Sequence, residues 1–200
     1  MNYEEMANRF LVIENLLEAV KILESDSRFS GLIPEVRTNI AMAIPSATSK
    51  KDVAGVEGRI TVVSDLPRAC GPIRFGASSH MARFLLARMK FDKSKKAVIN
   101  IRNDSEILKA VQKMSEEKNL LISNFNRKKE PENTRIVEGR SLVWAMDEAI
   151  KNAGGKIPDI IVDGGGFERE GLIRLFGRDA IEVVGFILRI LEIIGEKNRE

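Results

Sequence analysis

The run GPIRFGASSHMARFLL at 71–86 gathers most of the side chains in this sequence that could handle a charged ligand. It contains the sole histidine, His80, and sets Arg74, Gly76, Ser78 and Ser79 just ahead of a helical pattern. Ile73 and Phe75 flank Arg74 in the alternation of a short strand, and Met81, Phe84, Leu85 and Met89 mark one apolar helical face. Strand, small-residue turn and helix start make a natural anion site, because free backbone N–H groups and the positive helix end converge there. Ser78 and Ser79 can cap the helix or bind an oxyanion. His80 at such a start is expected to be neutral and able to donate one hydrogen bond to a phosphate oxygen. An inert histidine under a helix terminus is the alternative. GASSH is not the G-x-S-x-G nucleophile elbow, and without a second histidine there is no base for a triad. Helix cap and phosphate donor is therefore the reading of the serines.

Two further places carry the same chemistry. In DVAGVEGRI (52–60), Arg59 stands at the mouth of a strand behind Gly55 and Gly58, which permit tight turns or close approach of a ligand. Arg74, Arg102 and Arg174 also fall in strand patterns. A strand arginine inside a two-sided sheet is expensive unless paired. Such arginines are either fork-shaped phosphate clamps or partners of Asp65, Asp104 or Asp163. Asp163-Gly164-Gly165-Gly166 follows the apolar run IPDIIV. It is neither a Walker motif, for want of a following G-K-S/T, nor a G-x-G-x-x-G fingerprint. Asp163 could hold Mg²⁺ through water, but an acid bonded to turn amides is the favoured reading. Trp144 and the pair Leu142 and Val143 are read as helix core.

Composition narrows the partners. The chain has 200 residues, 44% of them hydrophobic, with a net charge of +3 and a pI of about 9.0. Its basic runs, KSKK at 93–96 and RKK at 127–129, are short and read as solvated loop ends, so nucleic acid is disfavoured. One cysteine, Cys70, and one histidine exclude an internal disulfide and a Cys/His zinc site. The expected compartment is a reducing, cytoplasmic one: no apolar stretch reaches the roughly 18 residues of a membrane span, and MNYEEMANRF is wrong for a signal peptide.

The elements that must position these residues follow from periodicity. A helix is expected over about 3–24, with Met6, Phe10, Ile13, Leu17 and Val20 as its buried stripe. Residues 25–58 read as irregular, limited by Pro34 and Pro45. Strands are expected at 59–63, 97–101, 120–123, 159–162 and 172–176, and helices at 105–118, 141–152 and 179–195. Gly154 and Gly155 should stop the second of these helices. Residues 126–140 read as a surface loop. The alternation argues for an α/β sandwich on one central sheet, and for a single domain over 1–200 with an N-terminal helix at 1–25 and a core at 30–195.

The segments GRI (58–60), GPIRFGASSHMARFLL (71–86), VINIR (98–102) and RLFGRDAIEVV (174–184) resemble the ThiN family of archaeal thiamine-phosphate synthases. IPEVRTNIAMAIPSA (33–47) and DGGGFEREG (163–171) extend the resemblance over about residues 30 to 190. It implies a three-layer α/β/α sandwich with a mixed central sheet, related to class II aldolase/epimerase domains, whose zinc histidines have no counterpart here. It implies condensation of hydroxymethylpyrimidine diphosphate with thiazole phosphate to thiamine monophosphate and pyrophosphate, with Mg²⁺ accompanying the diphosphate. Arg59 and His80 match the arginine and histidine that catalytic members require, and are expected on the diphosphate or its leaving oxygens. Asn39, Arg74, Gly76, Ser78, Ser79, Arg102, Asp163, Gly164 and Gly165 are the expected ligand contacts, with no metal ligand assigned. The expected partners are the two substrates, a fused phosphomethylpyrimidine kinase domain and a second copy in a homodimer. The competing reading is a non-catalytic thiamine-phosphate sensor of a transcriptional regulator, which the missing helix-turn-helix weakens. One departure is Arg169-Glu170-Gly171, where the family tends to K-E-P, a change expected to loosen the loop.

Overall fold

The computed structural model describes residues 2–135, 140–166 and 170–197. Its centre is a seven-stranded sheet in the order β5-β2-β1-β6-β9-β8-β7. The strands are β1 (Ile40–Ala43), β2 (Val53–Val56), β5 (Ile73–Phe75), β6 (Ala97–Arg102), β7 (Ile122–Phe125), β8 (Ile160–Asp163) and β9 (Leu172–Gly177). Neighbours run antiparallel except β7 and β8, so the sheet is mixed. A hairpin of β3 (Ile60–Val63) and β4 (Leu66–Ala69) stands beside it, joined by a bridge between Thr38 and Ile60. Its two turn residues, Ser64 and Asp65, both have positive φ, as a two-residue hairpin with the native twist requires.

Helices cover both faces. α1 (Tyr3–Ser25), α3 (Ser105–Lys118) and α6 (Ala180–Lys197) pack together on one side, and α2 (Ser79–Met89) and α5 (Arg140–Asn152) on the other. This is the three-layer α/β/α arrangement. Each layer meets the sheet through apolar residues: Ile99 and Leu175 of the central strands, Phe84 and Leu85 of α2 and Ile187 and Ile190 of α6 have no exposure. Local signals set several boundaries. Asp104 caps α3 by accepting from the amides of Glu106 and Ile107. Gly154 and Gly155, both left-handed, follow α5.

Five expectations need correction. Residues 25–58 contain β1 and β2, and Ser27–Leu32 forms a 3₁₀ turn. IAMA and VAGV are four-residue strands buried at every position, so they lack alternation, and alanine and glycine give little strand signal. The strand expected at 120–123 lies two residues later. The expected loop at 126–140 holds a 3₁₀ turn, Arg127–Lys129, and a short helix α4 (Glu132–Arg135), while 136–139 lie outside the described residues. Leu142 is buried but Val143 is exposed, while Trp144 meets Phe125 edge-on at 5.9 Å.

The fifth correction concerns α1. Val12, Leu16, Ala19, Val20 and Leu23 face the core, whereas Met6, Phe10 and Leu17 are exposed and Ile13 is half-buried. This helix carries apolar residues on two faces, so spacing alone could not choose between them. Leu16→Ala is expected to lower the free energy of unfolding by about 2–5 kcal/mol, because Leu16 has no exposure. Its neighbour Leu17 is 54% exposed, and Leu17→Ala should shift stability by no more than about 0.5 kcal/mol. Denaturant titration of the two variants reads the difference directly, and the reverse order would put the other stripe inside.

Candidate active site

Three strand ends and one helix start meet in a cavity of about 340 Å³. β8 ends on Asp163, β9 carries Arg174 two residues in from its start, and the turn after β7 delivers Arg127. All three are nearly out of water: Asp163 and Arg174 are 1% exposed and Arg127 is 6% exposed. Arg127 grips the Asp163 carboxylate with Nη2 at 2.6 Å and Nε at 2.9 Å from Oδ2, and Nε at 3.1 Å from Oδ1. Arg174 adds Nη1 at 3.5 Å from Oδ2, and the Gly165 amide donates to Oδ1 at 3.1 Å. One carboxylate thus holds two guanidiniums inside the protein.

Aromatic faces complete the arginine positions. The Arg174 guanidinium lies 4.7 Å from the Phe84 ring centroid, and Arg127 lies 5.2 Å from that of Phe125. Burial pulls the Arg174 pKa down to about 10, opposed by the charge of Asp163. Its Nη2 approaches His80 Nε2 at 3.5 Å, and its Nε has no hydrogen-bond partner among the described residues. A guanidinium only donates, so this contact assigns Nε2 as the acceptor and Nδ1 as the protonated nitrogen.

His80 opens onto the cavity from the first turn of α2. Its pKa falls to about 4, through loss of solvent first and then through the charges of Arg174, Arg127 and Arg59, against a smaller opposing pull from Asp163. This direction fits the neutral imidazole expected from the sequence; His80 is itself exposed on the cavity wall, so the neighbouring arginine charges are the cause that the geometry supports. Ser78 occupies the N-cap and lines the cavity, yet its hydroxyl makes no capping bond. Ser79 faces away and accepts from Lys50 Nζ at 3.1 Å.

Arg59 stands at the rim with φ +73°, directly after Gly58 at φ +74°. A Cβ at Gly58 would come within 2.9 Å of Cys70 Cβ, so this turn needs glycine for space as well as for conformation. Arg59 donates from Nη1 to the Val36 carbonyl. Arg37, also on the rim, is left-handed too, at φ +67°. Left-handed backbone at non-glycine residues is strained and collects where function over-determines it.

Of the other expected contacts, Asn39 lines the cavity, but its amide is taken by the backbone of β2. Its Nδ2 donates to the Val56 carbonyl at 2.9 Å and its Oδ1 accepts from the Val56 amide at 3.0 Å. Gly55, packed in β2, would push a Cβ to 3.3 Å from that Oδ1. Arg74 lies outside, on the edge strand, paired with Glu57 at 2.7 Å. Arg102 also lies outside and pairs with Asp104 at 3.0 Å, as the alternative reading had it. Gly76 (φ +79°) makes the turn into α2, and Gly164 and Gly165 lie in the turn whose amide binds Asp163. Arg127, read as part of a solvated run, is instead buried. Its signal was its place directly behind the strand ending in Phe125. Arg37, Glu35, Asn100 and Glu170 line the cavity as well and carried no distinctive spacing. Arg169 lies outside the described residues. Gly171 is held firmly, its carbonyl accepting from the Asn103 amide at 3.2 Å.

Asp163 accepts from a turn amide, as the favoured reading had it, and does not fit the alternative role of Mg²⁺ ligand. Its oxygens are taken by two guanidiniums and an amide, and no group of three metal-ligating side chains occurs among the described residues. No helix among them is long and apolar enough to cross a membrane.

The architecture is that of the class II aldolases. L-fuculose 1-phosphate aldolase from Glaciozyma antarctica matches all of this chain and 77% of its own with a TM-score of 0.53 at 11% identity, a likeness of fold alone. Within that architecture the chain belongs to the thiamine-phosphate synthase ThiN family, whose model matches residues 15–189. Thiamine-phosphate synthase ThiN of Methanothermobacter thermautotrophicus is 38% identical over 90% of this chain and 92% of its own. The bifunctional thiamine biosynthesis protein ThiDN of Methanocaldococcus jannaschii is 40% identical over 88% of this chain but only 40% of its own length. A solved C-terminal domain of phosphomethylpyrimidine kinase covers 90% of this chain and 98% of itself, with a TM-score of 0.85 at 38% identity.

Two measurements follow. As the single histidine, His80 gives one set of imidazole signals in NMR, and these should titrate near pH 4 and move up in Arg174→Gln. Between pH 6.5 and 4 the unfolded chain takes up a proton that the folded chain refuses, so stability should fall as pH drops through this window. A midpoint at 6 or above would refute the assigned environment. Asp163→Asn removes the carboxylate shared by two buried guanidiniums, leaving Arg127 with Glu130 at 3.8 Å and Arg174 with no carboxylate among the described residues, and should destabilise the fold by about 3–5 kcal/mol in denaturant melts.

Proposed function

We propose that this chain is a thiamine-phosphate synthase, joining hydroxymethylpyrimidine diphosphate to thiazole phosphate with release of pyrophosphate. The observation that carries the reading is the convergence of Arg59, Arg127, Arg174, Ser78 and a neutral His80 on one cavity. Membership of the ThiN family supports it. The relatives at 38% and 40% identity are biosynthetic proteins by name, which favours catalysis over sensing.

The reaction asks little of a protein base. The thiazole nitrogen attacks with its own lone pair, a C–N bond forms at the pyrimidine methylene, and the C–O bond breaks with its electrons leaving on pyrophosphate. What needs help is the negative charge growing on the leaving oxygens. Arg59, exposed at the rim, and the Nδ1–H of His80 are the donors assigned to those oxygens. Arg174 holds His80 from the Nε2 side, and Asp163 holds Arg174. Arg174 and Asp163 are therefore positioning residues. Mg²⁺ enters in this reading as part of the diphosphate substrate, not as a resident ion. In a fusion with a kinase domain, as in the bifunctional relative, the same cavity would receive that domain's product.

Incubation of the two phosphorylated precursors with Mg²⁺, followed by oxidation to fluorescent thiochrome, tests the activity. Thiamine monophosphate should accumulate above a no-enzyme control. Arg59→Ala and His80→Ala should each reduce turnover about 10²–10³-fold while changing product affinity far less. Normal turnover in both variants would remove them from the reaction. Tight binding of thiamine monophosphate without any turnover by the unaltered chain would make the cavity a sensor.

A further inference from the structure

The cavity contains a carboxylate that the phosphate chemistry does not use. Among the described residues, four arginines line it, Arg37, Arg59, Arg127 and Arg174, with three carboxylates, Glu35, Asp163 and Glu170. Asp163 is taken by Arg127 and Arg174, and Glu35 is exposed on the rim. Glu170 differs from both. Its Oε2 is shut off from water and has no hydrogen-bond partner among the described residues. A buried acceptor left unmatched is costly, and its cost is recovered when a ligand brings a donor.

Glu170 is also held in place. Gly171 beside it is tied to Asn103, whose Nδ2 donates to the Asp163 carbonyl at 3.0 Å. A Cβ at Gly171 would lie 3.0 Å from that same carbonyl, so the backbone there is packed directly on the end of β8. The carboxylate is thus referenced to the same strand end that fixes Arg127 and Arg174. Leu172, Met81 and Val36 give the cavity apolar surface for a flat ring.

We propose that Glu170 is the residue that recognises the pyrimidine substrate, by accepting a hydrogen bond from its exocyclic amine. The inference rests on the synthase reading. Of the two substrates, only the aminopyrimidine has N–H donors; the thiazole and both phosphate groups present acceptors. The unmatched acceptor and the unmatched donor are complementary. The contact also bears on the chemistry. As the C–O bond breaks, positive charge develops at the methylene and spreads through the ring to the amine. A carboxylate accepting the amine N–H stabilises that charge without moving a proton. Glu170 therefore acts on turnover as well as on affinity.

The test compares two probes, thiamine monophosphate and its analogue with hydrogen in place of the exocyclic amine, by calorimetry. The unaltered protein should prefer the amine-bearing probe by about 10- to 100-fold, the range of a hydrogen bond to a charged group. Glu170→Ala should bring the two affinities to within about twofold of each other, by weakening only the amine-bearing probe. Glu170→Gln, which keeps an acceptor oxygen, should retain part of the preference and lose turnover more than affinity. An unchanged preference in Glu170→Ala, with thiochrome still formed by the unaltered protein, overturns this inference alone. Failure of the unaltered protein to form thiochrome overturns the synthase reading beneath it.

Discussion

Asp163 bears the greatest electrostatic demand in this fold. Its carboxylate keeps two guanidiniums in a place that water hardly reaches, and each of them does something further. Arg174 presses on Phe84 of α2 and reaches His80, so the position of a helix in one layer depends on an acid at the end of a strand in the sheet. Arg127 pins the turn after β7 onto the end of β8. Those are the two parallel strands, and the pairing of Phe125 with Asp163 closes their register at this point. A buried triad of this kind contributes little net stability against an apolar replacement. Its retention makes sense as positioning, because it sets fixed positive charge around a cavity before any ligand arrives.

The same fold, in the aldolases, serves other chemistry, and the comparison shows how little the architecture dictates. Here the sole histidine is turned towards an arginine, and the strand ends supply guanidiniums. Positive charge around the cavity comes from arginines fixed in the protein. Helix starts and glycine turns contribute, but less simply than their sequence signatures imply. Ser78 leaves its hydroxyl uncommitted, and Asp163 turns the glycine amide inward upon itself.

What could be read from the sequence divides along physical lines. The helices at 105–118 and 141–152, the strands at 97–101 and 172–176 and the three-layer class were legible, because long periodic segments and cap residues speak for themselves. The short strands β1 and β2 were not, since burial on both faces erases alternation. The face of α1 was ambiguous because both faces are apolar. In the site, Arg59, His80, Ser78 and Asp163 announced themselves through glycine turns and the uniqueness of the histidine. Arg127 did not, because a basic triplet in sequence looks solvated whether or not one member turns inward. Arg74 and Arg102 share the strand pattern and even the sheet face of Arg174, but the edge strand and the far end of β6 leave their side chains exposed with acidic partners of their own. No spacing rule reveals Glu170, whose character lies in what it fails to touch.

The rim arginines have a consequence for how such a protein changes over time. Arg37 and Arg59 both hold a backbone conformation that glycine would adopt without strain. Selection for robustness alone would therefore tend to erase both side chains. Their persistence in a lineage would be a record of demand for the ligand, and their replacement by glycine in another would mark a scaffold released from that demand. Thermal tolerance and ligand capture pull in opposite directions at these two positions, so they are where drift in this fold would first become visible.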